Sequence, residues 1–280
     1  MNALPQTQRS GISQKFRLSV RHSSFLLAFI VSLLAYSPTA SHAQKQETAS
    51  TTKKALPEFP ESLGLETFKI RFIRLDHGGQ GWDDGMRQTQ ADTNFLQYFG
   101  KAIGVHQIAR KGESHRIGLL DKYPRDGFPP FVYFTGNHNI GKISQKDLKI
   151  LREYCLGGGL LIADAGSKSF HNSFVHLSRQ IFPDKTLLKI PADDPLFQSP
   201  YSFPDGPPAF WAHGGKEPLG IKHDGRWMVF YHPGDMNDAW KSDNYTDVTP
   251  EMREKAMKLG VNLVMYSFEQ WNNALLGNDE

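Results

Sequence analysis

Two kinds of hydrophobic run alternate along this chain. The stretches Leu160 to Ala163 and Phe131 to Thr135 are apolar without polar alternation, which predicts short strands covered on both faces, as in a parallel sheet. Between and after them the apolar positions return at helical spacing. Leu148, Leu151 and Cys155 share one face of a first helix, and Phe170, Phe174, Leu177 and Ile181 share one face of a second. Ser144, with Asp147 three residues on, is a weak capping box for the first helix, and Gly157-Gly158-Gly159 ends it. Pro183 closes the second. The segment Leu151 to Phe182 thus predicts helix, glycine turn, buried strand, sharp loop and helix, with Asp164 at the end of the strand.

The same pattern extends in both directions. Lys69 to Leu75 alternates partly and predicts the first strand, and Phe95, Phe99 and Ala102 mark a helix from about Ala91 that stops at Gly104 in a left-handed cap. A second strand is expected near Val105 to Ala109, and a short one over Leu187 to Ile190. Pro191 to Gly215, rich in proline, aspartate and aromatic residues, predicts an irregular insertion, and its length favours a lid or binding loop over a plain connection. Ile221 to His223 and Arg226 to Tyr231 flank Asp224-Gly225, a strong hairpin signal. Thr249-Pro250 then caps and opens a final helix, whose stripes Met257, Val261, Val264, Phe268, Trp271 and Met252, Ala256, Leu259, Leu263 bury a wide face. Alternating strands and helices of this kind predict an α/β fold: a doubly wound, mostly parallel sheet with helices on both faces, plus a late β-hairpin.

The beginning of the chain belongs to a different class. Residues 1 to 43 join a basic, acid-free start (Arg9, Lys15, Arg17, Arg21) to an apolar run from Phe25 to Tyr36 and to Ser41-His42-Ala43, and so predict a signal peptide cleaved after Ala43. The run is shorter than the ~20 residues that span a bilayer, and an uncleaved anchor is the alternative. Residues 44 to 62 are polar and end in prolines, a flexible linker. Residues 63 to 274 then form one domain, with 275 to 280 a tail. The formal charge of +3 falls to -1 once the leader is removed, because it carries four basic and no acidic residues. The apparent basicity therefore belongs to the export signal and gives no case for nucleic acid. The mature protein is expected in the periplasm or outside the cell, without a membrane span. Its single cysteine cannot form an internal disulfide, and Cys155 sits on an apolar helix face as a packed thiol.

Ligands of open α/β sheets bind outside the carboxyl ends of the strands. Asp76, His77 and Trp82 follow the first strand, His138 follows the Phe131 strand, and Asp164 and His171 follow the central one. His213 lies in the insertion, and His232, Asp235, Asp238 and Trp240 follow the hairpin. Carboxylates with tryptophan rings suit a small polar ligand such as a sugar or peptide, or a partner protein of the cell envelope. A hydrolase drawing on the same histidines and aspartates, with or without a metal, is the alternative, and a purely structural scaffold is a third reading. No metal-ligand spacing supports the metal, since His171 and His176 are five residues apart, and no cofactor is expected. Ser167 could serve as a nucleophile with His138 or His171 as base, but serines at helix starts are usually caps.

Several segments together resemble the bacterial domain-of-unknown-function family 4159, which is similar to the class I glutamine amidotransferase-like (flavodoxin-like) fold. They are Asp92 to Phe95, Phe134-Thr135-Gly136 with His138, Leu151 to Asp164, Ile181-Phe182-Pro183 with Asp194 to Phe197, Gly234-Asp235 through Asp238-Ala239-Trp240, and Leu259 to Asn262. The family has no established reaction, so the resemblance implies a fold and no activity. Family members often carry a second acidic residue after the strand-end aspartate, where this chain has Ala165. Amidotransferases also need a cysteine on the strained turn after a central strand. Here that turn is Asp164-Ala165-Gly166-Ser167 and the cysteine precedes the strand, which excludes glutamine hydrolysis by a cysteine nucleophile.

Overall fold

Each predicted apolar run except one becomes an element of a single sheet or its covering layers. The structure, a computed structural model, describes residues 69–124, 127–242 and 248–276; the expected export signal and linker lie outside the described residues. Seven strands, β1 (Ile73–Asp76), β2 (Glu113–Arg116), β3 (Phe131–Phe134), β4 (Leu160–Asp164), β5 (Leu188–Lys189), β6 (Leu219–His223) and β7 (Arg226–His232), lie in the order β2-β1-β3-β4-β7-β6-β5. The first five in this order are parallel, while β6 runs antiparallel to both β7 and β5. The fold is thus α/β with a mostly parallel sheet and a late hairpin. Its strand order is compatible with the flavodoxin-like arrangement that the resemblance implies.

The helices are α1 (Ala91–Ile103), α2 (Gln145–Leu156), α3 (Lys168–Ile181), α4 (Met236–Trp240) and α5 (Pro250–Leu276). Phe72, Tyr133, Ile162 and Phe230 point to the face covered by α1, α4 and α5, and Leu75, Phe134, Ala163 and Tyr231 point to the face covered by α2 and α3. Burial on both faces is why these strands read as continuous apolar runs. Local signals act as expected. Ser144 Oγ accepts from the Asp147 amide at 3.1 Å, Ser167 Oγ accepts from the Phe170 amide at 3.1 Å, and Gly104 ends α1 at φ 70°. Asp224 and Gly225 both take left-handed φ, 46° and 80°, as a two-residue hairpin turn requires.

One expectation needs correction. Val105 to Ala109 is no strand: it meets the first strand only at the bridge between Ile70 and Ile108, and the second strand forms later, at Glu113–Arg116. That edge strand carries no apolar residue because its inward side chains are polar; Arg71 holds Glu113 through two hydrogen bonds of 2.9 and 2.6 Å. The Pro191 to Gly215 insertion is irregular as expected, and is anchored by Leu196, Phe197, Phe203 and Phe210, which are buried with α5. No helix among the described residues is long and apolar enough to cross a membrane.

Candidate functional site

From β1 the chain passes through α1 to the edge strand β2, then returns across β1 to β3, so the topological switch lies between β1 and β3. The loops after β1, β3, β4 and β7 meet at that edge. Gly166 donates its amide to Gly136 O at 3.0 Å, and a methyl group on Gly166 would stand 3.0 Å from Asp235 Oδ2. The β1 and β3 loops are as close, for a Cβ on Gly141 would lie 2.7 Å from His77 O.

Beneath the loops lies a buried polar chain. Arg74, on the same strand face as Phe72, is wholly buried, and its Nε donates to both carboxylate oxygens of Asp92 at 2.9 Å. Its Nη2 donates to Asn237 Oδ1 at 2.5 Å, and the Asn237 amide donates to Asp164 Oδ2 at 2.7 Å. The guanidinium also lies over the Tyr133 ring, 5.3 Å from its centroid. Asp235 caps α4 by accepting from the Asp238 amide at 2.9 Å. Two neighbouring buried atoms, Asp164 Oδ1 and the Tyr133 hydroxyl, make no hydrogen bond of full geometry among the described residues, although they lie close enough to interact with each other.

Burial raises the Asp164 carboxyl to about 6, although the Thr135 hydroxyl, the Asn237 amide and the Arg74 charge pull it the other way. Asp235 is raised further, first by burial and then by the charges of Asp164 and Asp238. Two carboxylates desolvated together cannot both ionise easily, so the pair favours holding a proton. Burial also pushes Asp92 up against the opposing charge of Arg74; the bidentate geometry and the persistent guanidinium charge keep that pair ionised.

The predicted site residues divide by placement. Asp164 and Asp235 come together. Asp238 adjoins them and forms an ion pair with Lys241. Asp76 accepts from the Gly78 amide at 2.9 Å in the β1 loop. His77 is buried with both ring nitrogens engaged: Nδ1 accepts from the Gly79 amide at 3.1 Å and Nε2 donates to Thr135 O at 2.9 Å. His232 is engaged likewise, accepting from the Gly234 amide at 3.0 Å and donating to Pro208 O at 3.1 Å, and burial lowers it to about 4. His138 is exposed and bonds Asn137 Oδ1 through Nδ1 at 2.5 Å. His171 bonds the Tyr231 hydroxyl at 2.8 Å, and the half-buried His213 lies near enough to Asp238 to feel its charge. Trp82 is half-buried on the β1 loop.

The indole of Trp240 corrects an expectation. It is 1% exposed, stacks on Phe95 at 4.6 Å and contacts Phe72 and Tyr133, so it is core and forms no wall of the rim. Asp164 does not cap α3, a position held by Ser167; it receives the amide of Asn237 in α4 instead. Ser167 Oγ faces Ser169 Oγ at 2.9 Å and the Phe170 amide, with no histidine among its hydrogen-bond partners in the described residues. Cys155 is wholly buried in α2 and its thiol is pushed up to about 12. No group of three or more metal-ligating side chains forms among the described residues. A cavity of about 590 Å³ lies between α1 and α5, but it shares no residue with the polar chain and says nothing of its chemistry.

Arg74 and Asn237 are absent from the predicted set. A signal for Arg74 existed: a charge on the same strand face as Ile70 and Phe72 must find a buried partner. None existed for Asn237, which enters through α4. The profile of Domain of unknown function DUF4159 matches residues 71–268. The chain belongs to this family. The match runs from two residues before β1 into α5 and includes Arg74, Asp92, Asp164, Asp235 and Asn237, so the whole polar chain lies within the DUF4159 domain. No curated protein matches the chain.

Proposed function

We propose that this DUF4159 protein is an exported binding domain that holds a small polar ligand at the carboxyl-end rim, with Asp164 and Asp235 as acceptors. The observation that carries the proposal is the Asp164 carboxylate: it is wholly buried beside a second buried carboxylate, and its Oδ1 makes no hydrogen bond of full geometry among the described residues and has only the Thr135 and Tyr133 hydroxyls to interact with. An unsatisfied buried acceptor costs roughly 1–3 kcal/mol, and a ligand bearing ammonium or hydroxyl hydrogens would recover it. Asp164 is reached once the rim loops part, which couples binding to a small opening of the β1 and β7 loops. Binding needs no free imidazole, and His77 and His232 are both occupied by backbone groups.

Export rests on the basic, acid-free start and the small residues before Ala43. Mass spectrometry of the mature amino terminus should find Gln44; a chain retaining Met1 in the membrane fraction would identify an anchor instead. The hydrolase alternative draws on one observation, the Asp164 carboxyl raised to about 6, which suits a general acid.

Thermal shift of the mature protein against amino sugars, neutral sugars and short peptides tests the rim. Ligands that raise the wild-type melting point should fail to raise that of Asp164→Asn, because only the native state binds. Equal shifts in both proteins, or no shift with any compound at millimolar concentration, would count against the rim. Product formed from a bound compound would favour the hydrolase.

A further inference from the structure

A second cavity, of about 190 Å³, lies on the open edge of the sheet, between the loop after β1 and the start of β2. Trp82, Asp83 and Arg87 line it from the loop, and Lys111, Gly112 and Ser114 from the strand side. It shares none of these residues with the Asp164–Asp235 pair. Arg87 and Lys111 are both exposed, and neither has an ion-pair partner among the described residues, in contrast to Arg71, Arg74 and Lys241. The acidic residue of β2 cannot neutralise them, because Glu113 is bound to Arg71.

The strand adds donors to the two charges. Glu113 donates its amide inward to Phe72 O at 2.8 Å, so the alternation of a parallel ladder turns the Ser114 amide outward, on the side where β2 has no neighbouring strand among the described residues. Ser114 itself lines the cavity and carries a hydroxyl besides. Gly112 also lines it, and any side chain there would overlap the Asp92 carboxylate. The half-buried indole of Trp82 supplies a flat apolar face, and Asp83 an acceptor for hydroxyl groups.

We infer that this edge cavity is a second binding site, for a small sugar acid. The oxyanion sits between Arg87, Lys111 and the outward Ser114 donors, the ring lies on Trp82, and a ring hydroxyl donates to Asp83. The volume lies below the about 300 Å³ at which drug-sized pockets begin, so a single ring fits and a larger molecule does not. The oxyanion is a carboxylate or a phosphate; both match two cations and a hydroxyl.

Titration calorimetry of the mature protein with glucuronate, glucose 6-phosphate and glucose tests the inference. At least one acid should bind, glucose should bind more weakly by about tenfold or more, and the stronger acid identifies the oxyanion. The double variant Arg87→Gln, Lys111→Gln should lose about tenfold or more in affinity for that acid with an unchanged melting point, since both side chains are exposed. Asp164→Asn should bind the acid as wild type does, which separates this site from the rim. Unchanged affinity in the double variant, equal affinity for glucose, or no binding of either acid at about 10 mM would overturn it.

Discussion

Arg74 is a charge placed where hydrocarbon would be expected, between Phe72 and the Tyr133 ring, and its position makes neighbouring residues obligatory. Gly85 is one of them. Its φ is +103°, and a Cβ there would overlap Asn237 Oδ1 and lie 2.6 Å from Arg74 Nη2. Gly85→Ala should therefore destabilise the fold by about 2–4 kcal/mol, through left-handed backbone strain and displacement of buried charge. A urea midpoint within error of wild type would show that the loop gives way without loss. Cys155 illustrates the opposite case, a reactive group made inert by its surroundings. With the thiol wholly buried and raised to about 12, maleimide labelling of the native protein should be negligible over hours and rapid in denaturant. Fast native labelling would contradict the packing. The sequence made the role of Cys155 legible through helical spacing, whereas Trp240 misled: its place after the hairpin suggested the rim, but α4 turns the indole back onto Phe95.

At the scale of elements, what could be foreseen depended on burial. The two-sided strands β3 and β4 and the helices α2 and α3 announce themselves because one physical demand, removal from water, fixes most of their side chains. The edge strand β2 answers to a different demand. Its register is fixed by Arg71, Glu113 and His115, polar residues whose pairing leaves no periodic apolar trace. The loop of residues 81–90 is held in a comparable way, by Lys241, which pairs with Asp84 at 2.9 Å and with Asp238, and by the Ser242 amide on Thr89 O at 3.1 Å. Lys241→Met keeps the stem and removes the charge, leaving two carboxylates facing each other. Stability should fall by roughly 1–3 kcal/mol. Hydrogen exchange should quicken in residues 82–90 while the amides of β4 keep their protection. Uniform acceleration across the sheet would mean that the clasp supports the whole fold and not the loop alone.

For the whole molecule these buried groups set opposing responses to pH. Asp164 rises from an ordinary 3.8 to about 6 on folding, so its contribution is fully present below about 3.8 and is lost as pH rises through 6. His232 falls from 6.5 to about 4, so its contribution is present above 6.5 and is lost as pH falls through 4. Each changes stability by about 1.4 kcal/mol per pH unit within its window, with opposite sign, so the two nearly cancel between pH 4 and 6. These two groups should accordingly add little net slope there. Asp164→Asn keeps an oxygen for the Asn237 amide and removes one titration. This variant should exceed wild type in stability at pH 8, where the wild-type pair is forced to ionise. It should also lose stability from pH 6.5 to 4 more steeply than wild type, because the Asp164 titration that opposes His232 is gone. Denaturant midpoints at half-unit intervals decide it. A variant whose profile stays parallel to that of wild type would mean that Asp164 is ionised throughout and that its buried charge is balanced by some group other than a shared proton.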